Sequence, residues 1–98
     1  MDIVWEQLHD SVLDCILIEW EKETIKISIK TAEYYFPEII KASIIAENAS
    51  LINCPIKRPW GRSLSINKVT KEGSKLMIEM QSGDTIFIEA EIFKLVKE

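Results

Sequence analysis

His9 is the only histidine in the chain, and it stands directly before a carboxylate, Asp10, with Asp14 four residues further on. An imidazole beside a carboxylate can serve as a general base or contribute one ligand to a metal. A metal site needs further ligands at a fixed spacing, and no second histidine exists to supply one. A catalytic base needs a nucleophile and oxyanion donors, and no motif provides them. The pair therefore reads first as structural, with Asp10 closing a turn and His9 bonding to backbone. A hydrolase using His9 and Asp10 ranks last among the functions considered.

The most distinctive stretch is Arg58-Pro59-Trp60-Gly61-Arg62-Ser63-Leu64-Ser65-Ile66-Asn67. In an extended strand, Ser63, Ser65 and Asn67 project to one side, and Leu64 and Ile66 to the other. Two hydroxyls and an amide in a row, beside Trp60 and Arg62, would make a polar recognition surface. Trp and Arg are the types most enriched at binding hot spots. The plainer alternative has Trp60 plugging the end of the core, Gly61 allowing a kink and the serines facing water. The candidate binding residues are thus Trp60, Arg62, Ser63, Ser65, Asn67, His9 and Asp10. No catalytic residue, metal or cofactor is expected.

Cys15 and Cys54 lie far apart among apolar neighbours. That is neither a metal spacing nor a disulfide framework, so both read as reduced thiols in the core. Gln81-Ser82-Gly83-Asp84-Thr85 is compact and polar. A phosphate cradle there would require a following helix, whereas the next residues alternate as a strand, so the segment reads as a turn.

Net charge is −4, but it is unevenly spread. Residues 1–23 carry seven acids against Lys22, whereas residues 54–75 carry six basic residues against Glu72. With Trp60 nearby, the basic stretch invites a test for nucleic-acid binding, which the acidic balance of the whole chain opposes. Neither a nucleic-acid nor a membrane partner is expected. A protein partner or a second copy of the chain suits segregated charge better.

The elements that must position these residues are mostly strands. Ninety-eight residues suit one β-rich domain spanning 1–98, enough to bury roughly 65% of the unfolded surface without staples. The first residues lack the basic and apolar regions of a signal peptide, and Cys15 to Ile18 is too short an apolar run to span a bilayer, so a cytoplasmic location is expected. A short helix from Ile3 to Leu8, capped by Asp2, would come first. Val12 to Trp20 is apolar on both faces, as in a strand covered on two sides. After the polar break at residues 21–23, Ile25, Ile27 and Ile29 alternate with Lys26, Ser28 and Lys30, and the two runs make a hairpin. Pro37 could open a helix through Ala42, but two short strands, at residues 43–47 and 50–54 with a turn at Asn48-Ala49, fit better. Pro55 and Pro59 bound a loop. Strands follow at residues 63–70, 75–80 and 85–90, with residues 91–97 as an extended tail or last strand. The fold class is mainly β: six to seven antiparallel strands as a small barrel or sandwich with a short N-terminal helix.

Three motifs carry a family likeness: Leu8-His9-Asp10, Pro59-Trp60-Gly61 with Ser63 and Ser65-Ile66-Asn67, and Glu79-Met80-Gln81-Ser82-Gly83-Asp84. Together they resemble a family of small, uncharacterised bacterial proteins of about this length. That resemblance implies a shared β-rich fold and assigns no activity. Leu8-His9-Asp10 alone is similar to predicted immunity proteins of bacterial toxin systems, which implies an acidic partner for a basic protein. The expected function is a non-catalytic module for protein recognition, immunity-type or self-associating. The alternative is a small-ligand-binding β-barrel lined by Trp60, Ser63, Ser65, Asn67 and His9.

Overall fold

Residues 4–32 and 41–98 are described by a computed structural model. Six antiparallel strands form one sheet: β1 (Val12–Glu19), β2 (Thr24–Lys30), β3 (Lys41–Asn53), β4 (Ile66–Glu72), β5 (Lys75–Met80) and β6 (Thr85–Lys97). Their order across the sheet is β1-β2-β3-β6-β5-β4. The mainly β expectation holds. In place of the short N-terminal helix there is one 3-10 turn, Trp5–Leu8, with the Gln7 side chain accepting from the Val4 N–H. Leu8 is fully buried, and the turn packs against β4. Asp2, Ile3 and the proposed helix start at Pro37 lie outside the described residues. No helix among the described residues is long and apolar enough to cross a membrane.

The hairpin of β1 and β2 forms as the sequence pattern predicts, with Ile16 opposite Ile27 and Ile18 opposite Ile25. Ile25, Ile27 and Ile29 are buried, and they meet Ala42, Ile44, Leu76, Ile78, Ile86 and Ile88 in one hydrophobic cluster. Each such aliphatic side chain withdrawn from water stabilises the fold by about 1.5–3 kcal/mol. Leu76, Ile78 and Met80 share the buried face of β5, as their spacing requires.

Residues 43–47 and 50–54 are not two strands with a turn between them. They belong to one strand, β3, whose register against β6 shifts between Ala49 and Leu51. Asn48 takes a positive φ of 53°, and its amide donates to Glu91. Asparagine tolerates the left-handed region better than most residues, so the chain kinks there and continues. β3 and β6 have 13 residues each. β3 pairs with β2 only as far as Ala46 but with β6 on to Asn53.

The bent sheet brings its two edges together at one end. Val12 bridges Ser65; the Leu13 N–H donates to the Leu64 carbonyl (2.9 Å), and the Ile66 N–H to the Ser11 carbonyl (2.8 Å). This seam is a single bridge and not a ladder, so the sheet stays open beyond it.

Candidate functional site

The seven residues picked out by sequence do not form one surface. His9, Asp10, Ser65 and Asn67 meet at the seam, the first two engaged there through their side chains and the last two through their backbone. His9 Nδ1 donates to the Asn67 carbonyl (2.5 Å), which fixes the proton on that nitrogen, and Nε2 lies 3.5 Å from Asp10 Oδ1. Gln81 Nε2 donates to Asp10 Oδ1 (2.5 Å), while its backbone N–H donates to the Ser65 carbonyl. Asp10 adopts a positive φ of 65°, and its N–H reaches the Ile66 carbonyl. The structural reading of the His-Asp pair thus describes its geometry. No group of three or more His, Cys, Asp or Glu among the described residues could hold a metal.

The proposed polar row does not keep its alternation. The register of β4 shifts between Ile66 and Lys68, which places Asn67 in a bulge. Leu64 is exposed although Ile66 is fully buried. Ser63 turns its hydroxyl back to accept from the Ser65 N–H (3.2 Å).

Trp60 does not plug the core: it is 79% exposed. It packs instead over the turn between β5 and β6, where its backbone N–H donates to the Ser82 carbonyl (2.9 Å). Asp84 anchors the same loop, its carboxylate accepting from the Lys57 N–H, the Arg58 N–H and the Ser82 hydroxyl. Burial pushes its pKa up. The two backbone donors, the Ser82 hydroxyl and the Arg58 charge outweigh that and hold Asp84 below its ordinary value. Arg62 is exposed beside Trp60.

A different part of the chain carries the larger unfilled surface. β1 is an edge strand, not one covered on two sides: Leu17 is 53%, Ile18 48% and Trp20 89% exposed. Both cysteines, expected in the core, are exposed as well. Two grooves follow one another along β1. The first, about 410 Å³, has Leu13, Asp14 and Ile16 on one wall and Cys54, Pro55, Ile56 and Arg58 on the other. The second, about 440 Å³, has Ile18, Glu19 and Trp20 facing Ala49, Ser50, Leu51 and Ile52. As β1 runs forward, the opposite residues run backward from Arg58 to Ala49, so the two grooves lie in succession along the same edge and are together called the slot. Its walls are largely apolar, with Asp14, Glu19, Glu23 and Asp84 as acidic groups and Arg58 as the basic one. Of the seven candidates, only Ser63 lines it.

Compared with family models, curated proteins and solved structures, the chain matches none.

The slot was missed because an apolar run looks the same whether both of its faces are covered or one awaits a partner. The strand order, which puts β1 at the edge of the sheet, is what shows it uncovered. The acids that bracket the run, Asp14 and Glu19, also belong at a water-facing edge.

Proposed function

We propose that this chain is a non-catalytic module that recognises another protein through the slot beside β1. The observation that carries the reading is the exposure of Ile18 and Trp20 across the slot from exposed Leu51, with exposed Leu17 on the outer face of the same edge strand. A long apolar edge is an aggregation hazard that folded proteins normally blunt with charge, bulges or a cover. Holding one open is consistent with a partner that covers it. The seam residues support the same reading indirectly, since His9, Asp10 and Gln81 are tied to one another and to backbone in place of facing a substrate. The acidic N-terminal third suits a basic partner, as in the immunity-type resemblance; self-association is the competing form of the same activity.

Two substitutions test the proposal, Leu17→Asp and Trp20→Ala. Both side chains are about half exposed or more, so the melting temperature should stay within a few degrees of the parent. Affinity capture from a lysate of the source cells, with sedimentation of the purified chain, should show an association that both variants lose. A parent protein that is strictly monomeric and retains no partner would reject the reading.

A further inference from the structure

We infer that the slot takes an extended segment of a partner protein, which pairs with β1 as an added strand and carries lysine or arginine at alternate positions. The inference rests on the protein-recognition reading and specifies the chemistry of what is recognised.

The first ground is the edge itself. Beyond the seam, no described strand pairs with the outer side of β1 from Asp14 to Glu19. Six residues of strand run about 20 Å, and the slot follows that whole length. Backbone N–H and C=O groups along such an edge are the template that strand addition uses.

The second ground is alternation. Ile16 and Ile18 face the interior with their partners Ile27 and Ile25, whereas Cys15, Leu17 and Glu19 share the outer face with Ser28, Lys26 and Thr24. A guest strand beside β1 inherits the same period of two. Its inward side chains would enter the grooves against Ile16, Ile18, Met80, Ile86 and Ile52, and must be apolar. Its outward side chains would emerge among carboxylates.

Charge decides the outward chemistry. Asp14, Glu19 and Glu23 border the slot, with Glu21 beside them in the hairpin turn. Against them stand Lys22, 3.4 Å from Glu19, Lys26, opposite Leu17 and already 3.2 Å from Glu98, and Arg58 on the far wall beside Asp84. A cationic guest side chain gains from this balance, and the open face of Trp20 adds a site for a cation over its ring. A second copy is disfavoured, because pairing two β1 edges would crowd two sets of Asp14 and Glu19 on one seam, and like charges across strands repel.

The test uses the full chain and capped eight-residue peptides alternating lysine and valine. Companion peptides replace lysine with glutamate, or carry backbone N-methyl groups at every second residue in either of the two phases. The lysine peptide should bind and slow amide hydrogen exchange at residues 14–19 at least tenfold. N-methylation in one phase should weaken binding at least tenfold while the other phase leaves it intact, and the glutamate peptide should not bind. The inference is overturned if both N-methylated peptides bind like the parent, if the glutamate peptide binds as tightly, or if exchange at residues 14–19 does not change. It is equally overturned if sedimentation shows a dimer that Leu17→Asp dissolves. If all peptides fail while Leu17→Asp still abolishes a captured partner, strand addition falls and the recognition reading stands.

Discussion

The Trp60 indole lies against the bare Cα of Gly83: a Cβ placed there would sit 2.8 Å from Trp60 Cδ2 and 2.7 Å from Pro59 Cγ. Gly83 also has a φ of 93°, a conformation that residues with a Cβ rarely adopt. The two sequence motifs Pro59-Trp60-Gly61 and Ser82-Gly83-Asp84 are therefore the two halves of one contact. Gly83→Ala should destabilise the protein by about 1–3 kcal/mol through strain and displacement of the ring. Urea denaturation measures the loss, and a shift in tryptophan emission reports the moved indole. An unchanged midpoint would mean that the loop has no fixed seat on the turn.

Asp84 gives the same loop a pH dependence. Its folded-state pKa is lowered, so its contribution to stability is complete above the ordinary carboxylate range. That contribution disappears as pH falls through the lower, folded value. Asp84→Asn removes the charge and turns an amide donor toward the Lys57 and Arg58 N–H groups. The variant should be less stable than the parent at neutral pH, and the difference should shrink on acidification. Chemical denaturation across that range measures it. Faster hydrogen exchange at Lys57 and Arg58 in the variant would locate the effect in the loop.

Sequence pattern revealed those parts of the fold that short-range alternation determines. Ile25, Ile27 and Ile29 in β2, and Leu76, Ile78 and Met80 in β5, each declare a buried face within six residues, and each is buried as read. The turn at Gly83 was equally legible, since a glycine between two alternating runs has few other uses. What escaped depends on distance. His9 and Asn67 are 58 residues apart, and their meeting follows from the closure of the seam, which no local period encodes. Asn48 and Asn67 looked like a turn residue and a strand residue, but Asn48 lies inside β3 just before its register shift and Asn67 lies at the shift in β4. β1 has the composition of a covered strand, and only the strand order shows that its outer side is open.

The two thiols provide a test of that exposed edge. Cys15 points outward from β1, opposite Ser28. Cys54 stands on the far wall of the slot, where partial burial first and the Asp84 charge second push its thiol up from the ordinary value. Alkylation proceeds through the thiolate, so near neutral pH Cys54 should react several-fold more slowly than Cys15. Raising the pH should narrow the gap as Cys54 ionises. Asp84→Asn should speed Cys54, because that carboxylate is one of the two causes of its raised value. Timed labelling with iodoacetamide, read by peptide mass, separates the two sites. If both thiols resisted labelling until the protein was unfolded, β1 would be covered in solution and its edge unavailable to any partner. Rapid labelling of Cys15 in the folded chain, blocked when the slot is filled, would tie exposure and recognition to the same strand.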